Sequence, residues 1–219
     1  MKIGLSDLSR LESRSHYLFS GLLLWYGLLW TWLAIAPVNR RDWFLENLLA
    51  LALVTLLLLT YRRFQFSSLS YGLITLFMTL HAVGAHYTYA EVPFGFWLKD
   101  VLSLSRNPFD RIVHFAYGAL FVYPVRELLM RLAGVRGPWT YYLSVSTILA
   151  QSGLFEVIES VVAVLVNPEL GNTYLGTQGD EWDAQKDMAA ALGGAVSAMT
   201  FTHAMSKETD ETVPRAAQS

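Results

Sequence analysis

A chain of 219 residues that is 53% hydrophobic, 14% aromatic and only 16% charged falls short of the roughly one-quarter charge of a soluble domain. Its net charge of −2 gives no electrostatic footprint for nucleic acid, and the absence of cysteine excludes disulfides, thiolate metal sites and cysteine nucleophiles. Mean hydropathy is +0.35, and the apolar residues come in blocks of about 18 or more, the length that crosses a bilayer. The composition describes an all-α, polytopic membrane helix bundle whose first partner is the lipid bilayer.

In chain order, residues 1–17 are polar and read as a cytoplasmic N-terminal segment. The first apolar block is too long and too aromatic for a signal peptide, so it is expected to be a retained span. Six transmembrane helices are expected, at about 18–36, 44–61, 69–90, 111–130, 139–166 and 185–204. Together they form a transmembrane domain over 18–205. Arg62, Arg63, Arg126 and Arg131 sit where long side chains snorkel from span ends. Trp43, Tyr61, Tyr89, Trp139 and Trp182 suit an interfacial aromatic belt. The connection "EVPFGFWLKDVLSLSRNPFD" (91–110) mixes aromatics with charge, as an amphipathic interfacial segment does. The connection 167–184 is rich in Gly, Asn and acids. Gly153, Gly193, Gly194 and Ala198 are small enough for close helix approach. Residues 206–219 read as a disordered cytoplasmic tail. Of the 16 Lys and Arg, only Arg40, Arg41, Lys99, Arg106, Arg111 and Lys186 fall opposite the termini, so the positive-inside bias favours both termini cytoplasmic.

Ionisable side chains inside spans are costly, and each is a functional hypothesis. "FDRIVHF" places Asp110 and His114 on one face of the fourth span, four residues apart. "FEVIES" does the same for Glu156 and Glu159 in the fifth. "DEWDAQKD" does so for Asp183 and Asp187 at the sixth, and His86 ends the third. His81 lies about 140° around the helix from His86, so those two are not a ligand pair. Alternating span direction brings all four segments to one depth, on the outer side. Asp180, Glu181, Asp183 and Asp110 also have an ordinary reading as helix caps. Asp187 lies inside its helix, where capping does not account for it. So many acids in a low dielectric cannot all ionise unaided. A divalent metal ion, protonated carboxyls, or pairing with Arg106, Arg111 and Lys186 would each resolve the conflict. The candidate catalytic set is Asp110, His114, Glu156, Glu159, Asp183 and Asp187. The candidate metal ligands are His86, His114, Glu156, Asp183 and Asp187.

"HAVGAHYTYAEVPFG", "NPFDRIVHFAYGAL" and "GTQGDEWDAQKDMAAALGGA" resemble the signature segments of YjdF-like bacterial inner-membrane proteins, a family with a domain of unknown function. The resemblance covers about 18–205. It implies inner-membrane location and a shared polar core, and no activity. A weaker similarity is to VanZ-like proteins, associated with glycopeptide resistance at the cell envelope. Asp110, Arg111, His114 and Phe115 match one part of that pattern, Glu156 a second, and Asp183 with Asp187 a third. Glu159 stands where that family usually has Gln.

No phosphate loop, serine elbow or His-Glu-x-x-His helix is present. Three functions stay open. The first is an intramembrane enzyme acting on a lipid or lipid-linked envelope substrate, with the 91–110 segment gating lipid entry. The second is a small proton- or ion-coupled transporter, which needs a polar path to the inner face. The third is a non-catalytic binder of envelope lipids or glycans.

Overall fold

The computed structural model describes the backbone of residues 5–212 and the side chains of residues 17–205. The N-terminal and tail readings (1–17 and 206–219) therefore fall largely outside the described residues. Among the described residues all regular structure is helical. The helices are α1 (Leu5–Leu33), α2 (Arg40–Thr60), α3 (Ser68–His86), α4 (Pro93–Val101), α5 (Phe109–Arg131), α6 (Trp139–Leu165), α7 (Pro168–Leu175) and α8 (Asp183–Thr212).

Six spans are expected, and α2, α3, α5 and α6 are each long and apolar enough to cross a membrane. The apolar part of α1, Tyr17–Leu33, is shorter. In α8, Ala and Gly replace much of the Leu and Ile of a lipid-facing helix, because its work is packing. Leu24, Trp32, Leu59, Val164 and Leu165 all point outward and stay exposed. That exterior is the reverse of a soluble bundle and suits a hydrocarbon solvent.

The helix ends carry their own chemistry. Asn39 accepts hydrogen bonds from the Arg41 and Asp42 amides and starts α2. Ser67 starts α3 by accepting from the Ser70 amide. Glu127 of α5 then accepts from the Ser67 amide at 2.8 Å and from its hydroxyl, which ties α5 to the start of α3. α7 lies in the stretch expected to be a connection. Asn167 caps it, Pro168 occupies its first turn, and Gly176 ends it in the left-handed region with φ 59°. Those are ordinary start and stop signals, present in the sequence but too closely spaced to suggest a helix.

α5 is central and packs against α3, α6 and α8. Val122, Ile148, Ala191, Ala195 and Met199 form a core shared by α5, α6 and α8. Two glycines allow the α5–α8 approach. A Cβ at Gly118 would lie 2.7 Å from the Ala191 carbonyl carbon, and one at Gly194 would lie 2.8 Å from the Ala119 nitrogen. Gly193, by contrast, faces open space. α2 packs on α3 and α7 but shares no extensive interface with α6, and α7 packs on both of them.

Candidate functional site

The end of the bundle carrying α4 and α7 collects the ionisable groups. Asp183, at the start of α8, accepts from Arg106 and from Arg111 Nη2, the latter at 2.6 Å. Asp180 accepts from the same Arg111 nitrogen at 3.0 Å and from Lys186 Nζ at 2.7 Å. Those bonds hold its carboxyl well below the usual carboxylate range. Arg111 Nε lies 2.8 Å from Asp187 Oδ1, although without the alignment of a hydrogen bond. The acids of the opening α8 turn and the loop before it are thus drawn onto the bases near the start of α5. Asp183, expected as a metal ligand, is engaged by two guanidinium groups.

Asn107 locks the same junction. Its side-chain amide donates to the Ala90 and Val92 carbonyls, and its Oδ1 accepts from the Phe109 amide. The Asn107 backbone and the Gln178 side chain exchange a reciprocal pair of hydrogen bonds. Gly95 of α4 is needed because a Cβ there would overlap the Asn107 carboxamide. α4 consequently lies beside the site with Phe94, Trp97 and Val101 exposed.

Behind this clamp stands His114. Its Nε2 is 3.7 Å from Asp110 Oδ1 and 3.8 Å from Glu156 Oε1. Phe155 packs against its ring in a T-shaped pair, with the centroids 5.8 Å apart. Glu156 is buried, and its Oε1 has no hydrogen-bond partner. Asp110, His114 and Asp187 each offer a ligand atom, all within 4.8 Å of one another. One imidazole with two carboxylates suits a divalent cation, and Arg111 competes for Asp187. His86 stands apart. Its Nδ1 contacts the Leu33 carbonyl at 2.7 Å, which requires the nitrogen to donate, and its ring packs on Tyr87.

A cavity of about 600 Å³ opens from this cluster. Its polar end is lined by Glu46, His81, Tyr89, Asp110, His114 and Glu159. Farther along, Leu53, Leu57, Phe66, Phe121, Val125 and Leu128 make an apolar sleeve. Leu49 and Leu56 of α2 and Leu154 of α6 line the cavity yet are exposed, so the space opens sideways through the α2–α6 gap. Glu46 and its neighbour Asp42, both buried, escaped the sequence reading. The signal was there: "RRDWFLENLL" repeats the i, i+4 acid spacing used to single out the other helices. His81, set aside in the sequence only as a partner for His86, lines the cavity as well. Thr88 and Tyr89 take positive φ values of 54° and 52°, which folds the chain back over Gly84. The Tyr89 hydroxyl thereby comes within 2.5 Å of His81 Nδ1, a meeting that depends on backbone strain invisible in one dimension.

An apolar exterior around a buried ionisable cluster, with helices long enough to span, defines a polytopic membrane protein. The chain belongs to the family described as "Predicted membrane protein (DUF2238)", whose model matches residues 18–208. It is 39% identical over 168 residues to the inner membrane protein YjdF of Escherichia coli (strain K12), covering 76% of this chain and 80% of that protein. No solved structure matches it. With such a relative and these helices, it is a multi-pass protein of the bacterial inner membrane.

Proposed function

We propose that this protein is an intramembrane enzyme acting on a lipid or lipid-linked envelope substrate. One observation carries the reading: an ionisable cluster closes one end of a long apolar cavity that opens sideways between α2 and α6. A substrate tail enters from the bilayer and lies along the sleeve, and its polar end meets His114. Asp110 and Glu156 flank the imidazole, an arrangement suited to general acid–base proton transfer. Glu159 extends the carboxylate row by one turn. Arg106 and Arg111 position the start of α8, so that Asp187 stays beside His114. A carrier needs a polar route to the other face, whereas the far lining here is Phe64, Phe66, Leu128 and Leu132 with Thr60, whose hydroxyl is spent on the Leu56 carbonyl.

The test is incubation of the full chain, in liposomes, with extracted envelope lipids, followed by mass spectrometry. One lipid species should be converted by the wild type and spared by His114→Ala and Glu156→Gln. Leu154→Trp, which narrows the side opening, should also block conversion with little change in the thermal midpoint. If no species changes, the enzymatic reading fails.

A further inference from the structure

The polar end of the cavity gathers carboxyl groups that no lining base offsets. Arg106, Arg111 and Lys186 are drawn to Asp180, Asp183 and Asp187, and Arg106 approaches Asp110 only to 3.7 Å. The cavity wall itself presents Glu46, Asp110 and Glu159 and no Lys or Arg among the described residues. His81 adds a second, independent sign of a missing ligand. It is nine-tenths buried and lines the cavity, and its Nε2 has no hydrogen-bond partner. A divalent ion between Asp110, His114 and Asp187 would neutralise the α5–α8 side and leave Glu46 and Glu159 unbalanced.

We infer that the cavity takes a single-chain amphiphile, or one chain of a lipid, whose head is cationic: an amine or ammonium group. This rests on the proposed lipid-binding role and specifies its substrate class. A phosphate head needs guanidinium or ammonium donors or a free helix N-terminus. Here it would find no such donor, and any carboxyl left ionised would repel it strongly in the low dielectric. An ammonium head supplies the counter-charge against which those carboxyls can ionise, and the rings of Tyr89 and Tyr174, both at the cavity wall, favour a cation. The tail has room as well. Glu46 and Thr60 both line the cavity and stand about 21 Å apart along α2 at about 1.5 Å per residue. That exceeds half of the roughly 30 Å hydrocarbon thickness of a bilayer.

The experiment measures binding of radiolabelled hexadecyltrimethylammonium, hexadecyl phosphate and hexadecanol to the full chain in neutral maltoside micelles. The ammonium probe should bind at least about tenfold tighter than the phosphate probe, the ratio that about 1.4 kcal/mol provides. Glu46→Gln and Glu159→Gln should each shrink that preference several-fold while hexadecanol binding stays constant. Equal or tighter binding of hexadecyl phosphate overturns the inference, as does a preference unchanged in both glutamine variants. Retention of all three probes by Leu154→Trp overturns the cavity reading itself, which separates the two failures. A preference that survives in one glutamine variant and collapses in the other upholds the inference and assigns the head group to that carboxylate.

Discussion

Two adjacent glycines in α8 should respond in opposite directions to the same substitution. Gly193→Ala adds a methyl group that meets nothing within 4 Å. It also removes a glycine from a helix interior, which should stabilise by about 0.5–1 kcal/mol. Gly194→Ala would put its Cβ 2.8 Å from the Ala119 nitrogen and 3.0 Å from the Phe115 carbonyl carbon, on top of the Phe115 oxygen. Ordinary contacts between heavy atoms begin near about 3.5 Å, and the Phe115 oxygen is the nearest obstacle, so α8 has to retreat by about 1 Å or more. The obstacle is α5 backbone, which has no rotamer to escape into. Overpacking of this kind costs about 1–3 kcal/mol before the helix-propensity gain, and because the clash is with backbone the upper part of that range applies, leaving a net loss of up to about 2.5 kcal/mol. At about 2–4 °C per kcal/mol for a chain of this size, the thermal midpoint should fall by several degrees. The retreat also carries Asp187, two turns earlier on α8, away from His114. Thermal unfolding of both variants in the same detergent is the assay. Equal midpoints for the two variants, or a lower one for Gly193→Ala, would refute the claim that backbone contact at Gly194 sets the α5–α8 distance.

The charge clamp gives two more predictions. Arg111→Gln leaves Asp187 without its 2.8 Å cation and Asp183 with Arg106 alone; it should lower stability by about 2–4 kcal/mol. Adding Asp183→Asn should recover part of that loss, and a denaturation-based double-mutant cycle with no coupling would contradict the clamp. Asp180 makes the clamp pH-dependent, because hydrogen bonds from Lys186 and Arg111 depress its carboxyl. A depressed folded pKa contributes stability that is present above the unfolded value of about 4 and lost as pH falls through the folded one. Asp180→Asn should therefore lower the melting temperature at neutral pH and flatten its decline below about pH 4. An unchanged acid limb would speak against the assignment.

Much of the architecture was legible because spanning a membrane demands long uninterrupted apolar helices, and that demand is written in one dimension. The stretches around Ser68–His86, Phe109–Arg131 and Trp139–Leu165 could be delimited to within a few residues. The acids of α5, α6 and α8 stood out because charge is conspicuous against such a background. Glu46 did not, since it lies close to Arg40, Arg41 and Asp42, where one more charge is not conspicuous. Gly194 was legible as a small packing residue, but its partner Gly118 was not, and Gly193 could not be told from Gly194 without knowing which way each faces.

Hydropathy and residue spacing alone determined the class, the approximate spans and the gathering of ionisable groups at one end. All three follow from local rules: the hydrophobic length of a bilayer, the 3.6-residue turn, and the alternation of span direction. Only the tertiary structure decided how charge is shared. It gave Arg106 and Arg111 to Asp183 and Asp187, left Glu46 and Glu159 facing a cavity, and held His86 at the Leu33 carbonyl away from His114. Those outcomes depend on helix rotation and on the α2–α6 gap. Both arise from packing between residues far apart in the chain, about which spacing along the sequence carries no information.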